Sequence, residues 1–171
     1  MSSILLAPRQ ATVLWSGDVV VLGATWAGLA AAQACAARGW RTCLLESGPT
    51  LGTETSAWWR TDLPDGPCFE RARALAEGEG MPAGGAADVV LTTIAFDQVM
   101  AEAGIAAFVR VMPTRAVGGA DGRLAGVEVV GKSGRQLVRA RLVIDATPQR
   151  GFVRNLASQP LHVAGRVVRR L

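Results

Sequence analysis

Cysteine is scarce in this chain, with three in 171 residues, at Cys35, Cys43 and Cys68. The number is odd and no Cys-x-x-Cys pair occurs, which argues against a disulfide framework and against a structural zinc site. Cys35 and Cys43 lie inside apolar runs and read as small core residues. Cys68 lies in a Pro/Gly-rich stretch, where exposure is expected, but no partner base or second cysteine is near it to make it a redox group. Tyrosine is absent, and histidine occurs once, as His162, in a C-terminal stretch with no identifiable acid–base partner. No metal site is expected, and no catalytic residue can be assigned. The first seven residues lack a charged n-region and do not read as a signal peptide. No run is long and unbroken enough to span a membrane. The default expectation is therefore a cytoplasmic protein. The formal charge is +4 and the pI about 9.7, but basic residues do not alternate with aromatics in any block. Nucleic acid is not indicated, and the charge is compatible with an anionic cofactor. The one short basic cluster, Arg166, Arg169 and Arg170, reads as a solvated face.

Glycine and apolar residues are plentiful. There are 20 glycines and half the residues are hydrophobic, with a mean hydropathy of +0.26. A chain of this length suits one domain with a well-buried sheet, or one with a surface meant to be covered. After a short lead-in strand at 10–17, residues 18–22 (DVVVL) form a compact β-branched run ending at Gly23, as a buried parallel strand does. Residues 26–38 are Ala-rich and helical in pattern, with Leu29, Ala32 and Ala36 toward the sheet, and Gly39 marks the stop. Residues 41–45 (RTCLL) make a second strand, closed by Glu46. This is one βαβ unit. Residues 47–68 are loop-like and contain the pair Trp58 and Trp59, which suits stacking, core or an interface. Short helices are expected at 69–77 and 93–103, separated by a Gly-rich connection at 78–87. Asp97 and Glu102 read as solvated helix charges. Strands then follow at 106–112, 114–117, 124–130, 136–140 and 141–145, linked by turns at 118–122 and 131–134.

The chemistry concentrates at residues 23–28. Gly23, Ala24, Thr25, Trp26, Ala27 and Gly28 match the dinucleotide pattern G-x-G-x-x-G except at the middle glycine, replaced by Thr25. The first glycine permits a tight turn off the strand. The last lets the helix pack close, and the helix start offers free N–H groups to a pyrophosphate. Thr25 either crowds that approach with its Cβ or repays it with a hydroxyl hydrogen bond. Glu46 follows Gly23 by 23 residues, near the spacing of about 20 at which a strand-end carboxylate accepts ribose hydroxyls. Strand, glycines, helix, strand and carboxylate in this order point to a dinucleotide fold far more specifically than the glycines alone.

Residues 18–56 (DVVVLGATWAGLAAAQACAARGWRTCLLESGPTLGTETS) resemble the FAD-binding N-terminal part of the FAD-dependent oxidoreductase family, within the wider two-dinucleotide-binding flavoproteins. A second match covers 96–147, where EAGI at 102–105 leads through strands to IDAT at 144–147. The resemblance implies an α/β, Rossmann-like FAD-binding domain, with a parallel sheet and an inserted antiparallel β-meander at about 106–140, over 1–171. It implies that the 23–28 loop holds the FAD pyrophosphate and that Glu46 holds the adenosine ribose. It further implies that the loop from Ser47 to Glu54, with Gly52, runs along the cofactor. Residues near Ala116 would pass the adenine, and Ala146 and Thr147 would end a strand beside it. The meander favours FAD over NAD. Pro148 and Gln149 stand where the family more often has Gly-Asp. The substrate domain of family enzymes is expected to be absent, so that the chain is a truncated form or needs a protein partner to complete the flavin pocket. An NAD-dependent reductase domain and a non-catalytic fragment or partner subunit are the alternative readings.

Overall fold

The structure, a computed structural model, describes residues 11–83, 86–119, 123–148 and 151–153. His162 and the arginines at 166, 169 and 170 lie outside them. Among the described residues, eight strands and four helices are arranged in three layers. The middle layer is a parallel sheet of β2 (Val19–Leu22), β3 (Thr42–Leu45), β4 (Ala106–Phe108) and β8 (Leu142–Asp145), ordered β4-β3-β2-β8. A second sheet, ordered β1-β7-β6-β5, joins β5 (Met112–Gly118), β6 (Leu124–Gly131) and β7 (Gly134–Arg139) as an antiparallel meander, with β1 (Thr12–Ser16) parallel to β7 at its edge. The helices α1 (Trp26–Ala36), α3 (Pro67–Gly78) and α4 (Val89–Glu102) form the remaining layer, and α2 (Thr53–Ser56) is a single turn in the loop after β3.

Strand alternation explains the layering. Val19, Val21 and Leu44 belong to one core with Leu29, Phe96, Val99 and Met100 of the helices. Val20, Leu22, Cys43 and Leu45, the alternate residues, belong to a second core with Ala116, Val127, Val129 and Val138 of the meander. A strand covered on both faces has no polar side to show, which is why β2 and β3 read as continuous apolar runs.

Several expectations are corrected. Ala106–Phe108, expected in the meander, instead pairs in parallel with β3, and the antiparallel part begins at Met112. The fourth helix begins at Val89 rather than 93, because the Asp88 side chain caps it by accepting from the Leu91 amide at 2.8 Å. The third begins at Pro67, a favoured first helical residue whose missing N–H costs nothing there. That start places Cys68 on the inner side of the helix, where it is 2% exposed rather than at the surface. Burial pushes its thiol up to about 11, so it is protonated at neutral pH and is no nucleophile.

Candidate functional site

The site is built where β2 and β3 end and α1 begins. Gly23 leaves the sheet at φ +89°, a region that L side chains seldom adopt. A Cβ at Gly28 would lie 1.9 Å from the Gly23 carbonyl oxygen. The first turn of α1 therefore presses directly on the strand end, and only glycine allows it.

The backbone N–H groups of this turn have specific partners. The Ala24 amide donates to Glu46 Oε2 at 2.7 Å. The Trp26 amide donates to Glu54 Oε2 at 2.8 Å. The Gly28 amide donates to Thr25 Oγ1 at 3.2 Å, and that hydroxyl donates in turn to the Ala146 carbonyl at 2.9 Å. Thr25 is thus the N-cap of α1 and ties the helix to the end of β8. Its hydroxyl both accepts from the Gly28 amide and donates to the Ala146 carbonyl. The Ala27 amide, in the same turn, makes no hydrogen bond among the described residues.

Glu46 is 6% exposed, yet its carboxylate is well satisfied. Oε1 accepts from the Gly48 amide at 2.6 Å and the Ser47 hydroxyl at 3.2 Å, and Oε2 accepts from Ala24 and, at 3.5 Å, the Thr53 hydroxyl. Main-chain donors fix the carboxylate at the strand end, while the two hydroxyl contacts are long and replaceable. The chain after Glu46 returns to the same place. Gly52 and Thr53 donate their amides to the Ala24 carbonyl at 2.8 and 3.1 Å, and so seat α2 against the start of α1.

Trp26 turns a helix start into an anchor. Its indole N–H donates to Thr55 Oγ1 at 3.0 Å, and its ring meets Phe69 edge-on at 6.2 Å. Phe69 meets Phe96 in the same way at 6.2 Å, so one aromatic chain links α1, α3 and α4. The Arg60 guanidinium lies 4.5 Å above the Trp26 ring. Trp58 and Trp59, by contrast, project beside this region with 55% and 74% of their surface exposed.

Gly23 to Gly28, Glu46, Ser47, Gly52, Ala146 and Thr147 adjoin one another; a Cβ on Gly23 would meet Thr147 Cα at 2.8 Å. Ala116, on β5, packs in the core beneath the meander in the same cluster as Leu22 and Leu45, the residues that precede Gly23 and Glu46. Glu54, known from the sequence only as the end of the Ser47–Glu54 loop, and Arg60 lie in a polar stretch with no motif to mark their contacts. Asp145 is likewise given no role by the sequence, and its carboxylate accepts from the Thr147 amide at 3.0 Å, the Thr147 hydroxyl at 2.6 Å and the Val153 amide at 2.8 Å. A strand-end acid before Ala-Thr-Pro was the available signal for that role. Among the described residues there is no cluster of three or more His, Cys, Asp or Glu that could hold a metal ion, and no helix long and apolar enough to cross a membrane. A cavity of about 510 Å³ lies on the outer side of α1, against Ala30, Ala34, Pro67 and Cys68. None of the candidate residues lines it, and its walls lack convergent polar groups, so the chemistry is better sought at the strand ends.

The family model for FAD dependent oxidoreductases matches residues 18–167. No curated protein sequence matches the chain. Among solved structures, the THI4 protein of Thermovibrio ammonificans is similar with a TM-score of 0.59 at 19% identity, over 85% of this chain and 63% of that one. A geranylgeranyl bacteriochlorophyll reductase-like protein of Thermoplasma acidophilum gives 0.55 at 19% identity, over 88% and 44%. BexE, a protein studied for oxidation during BE-7585A biosynthesis, gives 0.56 at 20% identity, over 83% and 34%. At these identities the likeness shows the fold alone. The chain spans less than two thirds of each of these structures.

Proposed function

Because this chain belongs to the FAD-dependent oxidoreductase family, we propose that it is a single FAD-binding domain that holds the ADP part of FAD across the ends of β2 and β3. FAD is the cofactor of the family, and when bound it supplies the redox chemistry through its flavin ring. The chain's own residues supply binding and orientation. In this reading the Gly23–Gly28 turn faces the pyrophosphate, Glu46 accepts the ribose hydroxyls, and Ser47, Gly52, Ala146 and Thr147 border the cofactor. Ala116 reaches the adenine region through its backbone.

The observation that carries the reading is the buried Glu46 carboxylate, fixed by the Ala24 and Gly48 amides at 2.7 and 2.6 Å beside the start of α1. A carboxylate has about four lone-pair sites, and here two are taken by protein hydroxyls that ribose hydroxyls can replace like for like. The Ala27 amide, unpaired among the described residues, and the positive end of α1 suit an anion next to it. One feature opposes the fit as it stands, namely the Glu54 carboxylate on the Trp26 amide.

The test is a binding competition. FAD uptake is followed by flavin fluorescence on the folded chain, with ADP and FMN as competitors. ADP is expected to displace FAD, whereas FMN, which lacks the adenosine half, is not. Competition by FMN as strong as that by ADP, or no FAD uptake by folded protein, overturns the reading.

A further inference from the structure

We propose that Glu54 is an internal competitor for the phosphates of the cofactor, so that this one side chain sets how tightly the chain takes up phosphate-bearing nucleotides. The inference rests on the proposed FAD site. The Trp26 amide is the first N–H of α1, an 11-residue helix, and belongs to the donors that a helix start presents to an anion. It donates to Glu54 Oε2 at 2.8 Å. A carboxylate oxygen there has the charge and acceptor geometry of a phosphate oxygen, so the two are alternatives for one donor.

The surroundings hold Glu54 in that place. Glu54 lies in the single turn α2, which hangs on the Ala24 carbonyl through the Gly52 and Thr53 amides. The Glu54 carbonyl accepts from the Arg60 amide at 2.9 Å, and the Arg60 guanidinium covers the Trp26 ring. The same turn brings the Thr53 hydroxyl to Glu46 at 3.5 Å, alongside the Ser47 hydroxyl at 3.2 Å. A carboxylate thus stands at the phosphate position while hydroxyls stand at the ribose position. The 47–56 segment fills the cradle with the cofactor's own functional groups. A diphosphate entering beside the half-buried Glu54 meets a like charge, and binds only as the carboxylate leaves the Trp26 amide.

Two neutral variants test this. Glu54→Gln keeps an acceptor for the Trp26 amide and removes the charge. Glu54→Ala removes both. Dissociation constants for FAD, ADP and adenosine are measured by calorimetry on the native chain and both variants, with thermal melting to verify folding. Glu54→Gln is expected to tighten FAD and ADP about tenfold, the effect of removing one close like charge, and Glu54→Ala more. Adenosine, which carries no phosphate, is expected to bind all three proteins alike. ADP binding that is tight in the native chain and unchanged or weaker in both variants overturns this proposal and leaves the FAD site standing. Failure of every protein to bind any of the three ligands overturns the site and the proposal together.

Discussion

The two faces of the parallel sheet are closed in different ways. On the helix face, large side chains from separate elements meet, including Leu29 of α1 and Phe96, Val99 and Met100 of α4. On the meander face, mostly smaller side chains of β5, β6 and β7 lie against Val20, Leu22, Cys43 and Leu45. The helix face also carries the loops that leave the strand ends, so packing and site share residues there. Phe96 is an example: a Cβ on Gly52 would lie 2.4 Å from its ring. The meander face is a sheet-on-sheet closure that meets the strand ends through the backbone, where the Val111 amide donates to the Glu46 carbonyl at 3.0 Å.

The comparison breaks most readily at Phe96, which is fully buried and ends the aromatic chain from Trp26. Phe96→Ala is expected to cost about 3–5 kcal/mol in urea unfolding, and to weaken ADP binding as α2 loses its support. Val127→Ala, an equally buried change on the meander face, is expected to cost about 2 kcal/mol and to leave the ADP dissociation constant within twofold. Equal losses of ADP binding in the two variants would mean that the faces are not independent. The smallest effect is electrostatic. Glu128 alternates with Val127 and Val129 and so points away from the core, under the Arg115 and Arg135 side chains at 2.9 and 2.8 Å. Burial alone would raise its carboxyl; hydrogen bonding from Thr114 together with these two arginines outweighs that and holds it below the usual carboxylate range. Its contribution is therefore present above the ordinary glutamate pKa and is lost as pH falls through the depressed folded value. Melting temperatures of the native chain and Glu128→Gln are expected to differ at neutral pH by less than about 1 kcal/mol of stability, since both arginines are exposed, and to converge at acid pH.

The βαβ unit was legible because its signals are local. A β-branched run, an Ala-rich period, two glycines and a strand-end acid fall in order within residues 18–46. The sheet to which a strand belongs is not a local property. Ala106–Phe108 has three residues and no period, and only the register with Cys43–Leu45 assigns it to the parallel sheet. β1 was foreseen as a strand, but its partner β7 could not be read from residues 10–17. Cys68 was misjudged because neighbouring Pro and Gly suggested a loop, whereas Pro67 starts a helix and turns the thiol inward. At the site, the six residues of the turn and Glu46 were visible as a motif. Glu54 was not, since an acid in a polar loop looks solvated until the fold brings it to the Trp26 amide, 28 positions back.

The long-range strand pairings bear on how the chain is made. β2 is made well before β8, one of its two neighbours in the sheet, with Val19 opposite Leu142. β1 likewise waits for β7, with Thr12 opposite Gln136. During synthesis the apolar edge of β2 therefore has no β8 partner until more than a hundred further residues exist. Pairings of such high contact order are slow to form, and an unpaired edge meanwhile is a template for other chains. The strand that leads into the Gly23–Gly28 turn is thus made long before the strand that seals it.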